Sequence, residues 1–315
     1  MSHYRVLALD GGGIRGLITI VMLQELEQRV PGWLHQVDLI AGTSTGGIIA
    51  LGLGNGLTLA ELRGLYYERG PLIFADSVWD NVRDLFGLLG AQYGLENLRR
   101  ELEARFGSTT LQALSRKVLV TTFDMRDPEQ GIWKPKFFHN FSGPDSDGQA
   151  RASDVALYTS AAPTYFPWAD RYIDGGVVAT NPSMAALAQT QDERNERGNF
   201  HDGRRPNLAE IRLLSLGTGM LPQSVSGQDR DWGYLQWVKW GDQHPLIDLV
   251  LEGGAGVADY QCRQLLGRRG YRRVNPMLPR PIDLDGWQAR DEFIRIGEQA
   301  DLDEVAQWLA NEWLS

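Results

Sequence analysis

A serine framed by glycines, Gly42-Thr43-Ser44-Thr45-Gly46, has the G-x-S-x-G spacing of a nucleophile elbow. That chemistry needs a strand before the serine and a helix after it. Gly42 and Gly46 then leave room for a turn too sharp for bulkier neighbours, and the serine oxygen projects at the positive end of the helix. A second glycine-rich stretch, Asp10-Gly11-Gly12-Gly13-Ile14-Arg15-Gly16, follows the apolar run at 4–9. Its Gly11-x-Gly13-x-x-Gly16 lettering also fits a dinucleotide fingerprint, which would want an acidic residue ending the second strand. Asp38 stands near the start of that strand, and its end carries the serine motif instead. Backbone N–H groups of Gly12 and Gly13, joined by that of Thr45, could hold the oxyanion of an ester attacked by Ser44.

Such a serine needs a base. His3 precedes the first strand, His35 sits beside Trp33 in a connection, and His139 falls among aromatics. The Ser…Asp…His order of α/β-hydrolases leaves His201 and His244, but one lies in a polar loop and the other precedes a proline. Asp174 is delivered by the short strand Tyr172-Ile173 into Gly175-Gly176. A carboxylate there could take the serine proton directly. The same letters also read as a plain Asp-Gly turn.

The elements that must position these groups can be read from hydrophobic periodicity. Residues 4–9 form a buried strand, 16–30 a helix stopped by Pro31-Gly32, 37–41 a second strand, and 48–53 the opening of a second helix. This alternation indicates a mainly parallel sheet in a three-layer α/β/α arrangement. Residues 58–106 read as helical, 117–123 and 136–141 as strands, 153–162 as a helix, 182–191 as a helix and 212–216 as one more buried strand. From 301 onward an amphipathic helix places Leu302, Val305, Leu309 and Trp313 on one face. The organisation expected is a catalytic α/β domain over 4–220, with a C-terminal helical extension over 221–315 packed on it.

Composition narrows the partners. The 315 residues are 43% apolar and 23% charged, with a net charge of −9. That balance disfavours a nucleic acid polymer and simple electrostatic adhesion to anionic lipid. The single cysteine, Cys262, excludes an internal disulfide and reads as a small helix residue in a reducing compartment. No signal peptide or membrane span is visible, so a cytoplasmic protein is expected.

Taken together, DGGGIRG at 10–16, GTSTGG at 42–47, TSAAPTYFP at 159–167, YIDGGVVATNP at 172–182 and SLGTG at 215–219 resemble the patatin-like phospholipase family. The resemblance implies Ser44 as nucleophile, Asp174 as its base, and Gly11, Gly12 and Gly13 as an oxyanion loop. It implies hydrolysis of fatty acyl esters of glycerophospholipids through an acyl-serine, with no cofactor or metal. Thr180 stands where many relatives have asparagine. Arg15 would bind the lipid phosphate or simply open a helix in solvent. An acidic protein of this kind would touch the membrane transiently and peripherally, and Pro71–Gly90 would serve as lid, docking helix or core; the Trp-rich stretch 232–240 poses the same choice. Arg263, Arg268, Arg269, Arg272 and Arg273 read as a solvated helix face or a phosphate site. The size and motif wording are also similar to those of bacterial effectors switched on by a cyclic di- or trinucleotide in antiphage defence. The oligomeric state stays open. The competing readings are a serine esterase or thioesterase using a late histidine, and a lipid-binding module with an idle serine.

Overall fold

The computed structural model describes residues 3–73, 94–163, 165–220 and 245–315. The expectations for the 71–90 segment beyond residue 73, for the Trp-rich stretch 232–240 and for His244 lie outside the described residues.

Along the chain run β1 (Tyr4–Leu9), α1 (Gly16–Arg29), β2 (Leu39–Thr43), α2 (Thr45–Gly54), α3 (Leu59–Ile73), α4 (Leu95–Phe106), β3 (Lys117–Asp124), β4 (Lys134–His139) and α5 (Ala152–Thr159). They are followed by β5 (Tyr172–Asp174), α6 (Gly176–Ala179), α7 (Ser183–Thr190), β6 (Ile211–Leu216), α8 (Pro245–Gly270), β7 (Tyr271–Val274), α9 (Arg290–Glu298) and α10 (Asp303–Trp308). The strands form one sheet in the order β4-β3-β2-β1-β6-β7, with β5 also paired to β3. β1, β2, β3, β6 and β7 are parallel, while β4 and β5 run antiparallel to β3.

Alternate residues of the central strands feed two cores. Leu7, Leu9, Ile40, Leu214 and Leu216 point into the larger one with α1 and α2. Val6, Ala8, Leu39, Ala41 and Leu213 point into the smaller one with Leu187 of α7 and Cys262 of α8. This period-two division of apolar runs is what a sheet covered on both faces requires. Cys262 is fully buried, and burial pushes its thiol up to about 12.

Two boundaries differ from the sequence-based expectation for physical reasons. β2 starts at Leu39 because the Asp38 carboxylate accepts the N–H of Arg5 at 2.7 Å, so a side chain occupies the first ladder position. It runs on through Gly42 and Thr43, which pair with β1 and β3, and α2 starts at once at Thr45. The region after 220 is not wholly helical, because β7 joins the sheet beside β6. Leu302, Val305, Leu309 and Trp313 are buried as their periodicity predicts.

Candidate active site

The geometry at Ser44 follows from where β2 stops. Thr43 is paired with Thr121 of β3, and the next residue of β3, Thr122, is paired with Asp174. β5 therefore takes over the edge of β3 at the level where β2 leaves it. The end of one strand and the end of an oncoming antiparallel one meet at this seam, which brings Ser44 and Asp174 together. The Ser44 side chain lies near enough to the Asp174 carboxylate to lower its pKa, and both line one cavity.

Ser44 sits at φ 52°, ψ −122°, a conformation that costs a non-glycine residue on the order of 1–3 kcal/mol. The surroundings enforce it. A Cβ on Gly42 would run into the carbonyl of Gly46, and one on Gly46 would run into that of Leu9. The Ser44 N–H donates to Thr159 Oγ1 at 2.7 Å, and that hydroxyl donates in turn to the Thr121 carbonyl at 2.7 Å. Thr121 Oγ1 donates to Thr43 Oγ1 at 2.7 Å, which donates to the Ala179 carbonyl at 2.6 Å. Tyr66 of α3 braces the start of α2: its hydroxyl donates to Thr45 O at 3.0 Å and accepts from Thr45 Oγ1 at 2.5 Å.

Asp174 is buried, and its Oδ1 accepts the N–H of Gly176 at 2.6 Å. Burial raises its carboxyl from 3.8 to about 6, while Ser44 and the bond from Gly176 pull the other way. Desolvation wins, so the carboxylate is more basic than an ordinary one yet ionised at neutral pH.

The three glycines of the loop are not equivalent. The N–H of Gly11 donates to Thr180 O at 3.0 Å, so it is occupied in holding the loop rather than turned to a ligand. Gly11 is thus a member of the glycine loop whose own N–H is not a free donor. The contact uses the backbone oxygen of Thr180, while its side-chain hydroxyl donates to Gly176 O at 3.1 Å. The N–H groups of Gly12 and Gly13 have no hydrogen-bond partner among the described residues. Thr45 is the first residue of α2, where the backbone N–H has no intrahelical acceptor. Gly12, Gly13 and Thr45 line the same cavity as Ser44.

Several residues that hold the loop come from beyond the serine and aspartate motifs. Thr218 Oγ1 donates to Gly11 O at 2.7 Å, and the Ile14 N–H donates to Leu284 O at 2.8 Å. Asp10 forms a buried two-pronged pair with Arg273 of β7, at 3.1 Å and 2.5 Å, and Arg273 also donates to Ser215 Oγ at 2.6 Å. Burial raises the Asp10 carboxyl, opposed by Arg273, and Asp10 in turn holds the guanidinium firmly protonated. The fork geometry is that of an ionised pair. No local signal in the sequence links residue 10 to residue 273.

The arginine cluster is accordingly not one face. Arg263 pairs with Asp259, Arg269 with Glu312, Arg272 with Glu304 and Arg273 with Asp10. Arg15 is buried rather than solvent-exposed; its Nε donates to Gly12 O at 3.3 Å and it lines the cavity described next. His201 pairs with Asp38 at 2.5 Å, at the opposite end of β2 from Ser44, so it cannot serve that serine. His139 lies on β4, buried beside Asp145.

Ser44, Asp174 and Gly11 to Gly13 line one cavity of about 350 Å³. Its walls are largely apolar, with Ile14, Ile48, Leu65, Leu102, Phe166 and Val177 among them. A polar floor under an apolar chamber suits a ligand with one reactive polar group and a hydrocarbon tail.

The sequence profile of the patatin-like phospholipase family matches residues 7–187. A cGAMP-activated phospholipase of Pseudomonas aeruginosa is 34% identical over 277 residues, covering 85% of this chain and 77% of that protein. A protein of the same name from Vibrio cholerae is 33% identical over 273 residues, with 78% and 73% covered. Patatin-like protein 2 of Arabidopsis thaliana is 32% identical over 307 residues, with 85% and 74% covered.

Proposed function

The chain belongs to the patatin-like phospholipase family, and from that we propose that it hydrolyses fatty acyl esters of glycerophospholipids with Ser44 as nucleophile and Asp174 as base. What carries this reading is the meeting of Ser44, at the end of β2, with a buried carboxylate raised to about 6, both lining one apolar cavity.

As Ser44 Oγ attacks the ester carbonyl, its proton passes to Asp174. The carbonyl oxygen becomes negative and accepts the N–H groups of Gly12, Gly13 and Thr45, fixed donors that need no reorganisation. Collapse of this intermediate breaks the ester bond, and Asp174 returns the proton to the departing lysolipid oxygen. The acyl group remains on Ser44. Water then attacks the acyl-serine, giving one proton to Asp174; fatty acid leaves as Ser44 recovers that proton. The chamber holds the acyl chain, and Arg15, a buried residue of its lining, takes the lipid phosphate.

The relatives named cGAMP-activated phospholipases support a second element of the proposal, that a cyclic di- or trinucleotide raises the activity. Fatty acid release from phospholipid vesicles, with and without a panel of cyclic nucleotides, tests both. Ser44→Ala and Asp174→Asn are expected to abolish release, and retention of more than a tenth of it by either variant would refute the dyad. Equal release without any nucleotide, and no nucleotide binding, would refute the activation.

A further inference from the structure

The sheet carries two loop tips past the end at which Ser44 stands. The first joins β3 to β4. Lys134 is paired with Asp124, so Trp133 lies at the level of residue 125, four residues beyond the Thr121 that pairs with Thr43. At about 3.3 Å per residue, Trp133 stands roughly 13 Å farther out than the end of β2. The second tip leads into β5 on the other edge of β3. Its Arg171 carbonyl accepts the N–H of Met125 at 2.9 Å, so the two tips flank one continuation of β3, about two strand spacings apart.

Both tips end in large apolar side chains turned to solvent. Trp133 is 68% exposed, Trp168 63% and Ile132 50%. Trp133 is not frayed away: its ring packs edge-on against Phe123 of β3 at 6.4 Å. Trp168 follows Phe166 and Pro163, both of which line the cavity that holds Ser44. Within two residues the chain passes from the cavity wall to a solvent-facing indole. Two exposed tryptophans on neighbouring tips, one of them two residues from the cavity wall, make an apolar patch of the kind that marks an interaction surface.

We propose that Trp133, Trp168 and Ile132 form an anchor that inserts into the headgroup region of a phospholipid surface and sets the mouth of the cavity against it. The inference rests on the lipid hydrolase reading for its choice of occupant. Local charge decides the kind of surface. Lys134 is tied to Asp127 at 2.6 Å and Arg171 to Asp124 at 3.2 Å. The other charges of the two tips, Arg126, Glu129 and Asp170, carry a net single negative charge. With no positive excess, docking is driven by the indoles, which favour the interface of any phospholipid bilayer, and not by attraction to anionic lipid.

The test uses the full chain, vesicles of phosphatidylcholine alone or with 30% phosphatidylserine, and a water-soluble short-chain ester as a separate substrate. The vesicle arms are run with and without the same panel of cyclic nucleotides. The double variant Trp133→Ser, Trp168→Ser is expected to bind phosphatidylcholine vesicles at least tenfold more weakly than wild type in flotation. Neither ring lines the cavity, so turnover of the soluble ester should stay within about twofold. Ser44→Ala should float like wild type while releasing no fatty acid. Unchanged flotation of the double variant, binding that requires phosphatidylserine, or no flotation of wild type in any arm would overturn the anchor. Flotation lost in the double variant while wild type releases no fatty acid would instead leave the anchor standing and sink the hydrolase reading.

Discussion

Asp174 should hold the protein below its attainable stability, and the deficit can be worked from its environment. Its carboxyl is raised from 3.8 to about 6, chiefly by burial. A carboxyl raised in the native state stabilises that state only while protonated. Its contribution is complete below 3.8 and is lost as pH rises through 6. Above that range, ionisation of the buried group costs about 3 kcal/mol. Asparagine at 174 is neutral at every pH and keeps an oxygen to accept the N–H of Gly176. Asp174→Asn is therefore expected to be inactive and yet more stable than wild type, by about 3 kcal/mol at pH 8 and about half that at pH 5. Urea unfolding of both proteins at the two pH values reads the difference directly, provided the denaturant slope is unchanged. A variant that is less stable than wild type, or whose gain is the same at both pH values, would refute the assignment of the shift to desolvation of this carboxylate. The pH dependence is the sharper half of the test, because a packing change caused by the amide would not vary with pH.

The rest of the site makes further demands. Because the base must be ionised, kcat on a soluble ester should rise with pH through about 6 and then level off; a profile flat from pH 5 to 8 would remove Asp174 from the role. The backbone at Ser44 predicts that Ser44→Gly is more stable than Ser44→Ala by about 1–2 kcal/mol in urea, since glycine relieves the positive φ; equal midpoints would mean that the turn is unstrained. A methyl group at Gly12 would collide with the Thr218 side chain that anchors the loop. Gly12→Ala should lower kcat by roughly 10²–10³ with KM little changed, as loss of an oxyanion donor does, and a change confined to KM would contradict that role. Arg273→Met strands a buried carboxylate and should cost about 3–5 kcal/mol, part of which the added Asp10→Leu should restore; independent, additive effects would show the pair to be uncoupled.

Where the sequence could be read and where it could not divides along the range of the interactions. β1 is legible to the residue because its apolar run is bounded by His3 before it and Asp10-Gly11 after it. α1 is legible because Pro31-Gly32 stops it. Ser44 stands out because its neighbours must be glycines for steric reasons that act within a few residues, whereas the letters around Asp174 read equally as a turn and the family resemblance alone singles it out. The unequal roles of Gly11, Gly12 and Gly13 are not local. They depend on which backbone oxygen reaches the loop, and Thr180 and Leu284 are far along the chain. The arginines at 263–273 mislead for the same reason: a dense run of like charge looks like one surface, but a turn from helix to strand at residue 271 sends Arg272 and Arg273 to different acids. Arg273 is the telling case. A buried arginine costs several kcal/mol unless it is paired, so its partner must be a carboxylate brought by another element, and periodicity in one stretch cannot name it. The pairing also bears on how the chain is divided. The acid heading the glycine loop is paired with Arg273 of β7, and the loop itself is pinned by Thr218 and Leu284. The region after residue 220 is thus part of what shapes the site, and removing it would leave Asp10 buried without its counter-charge.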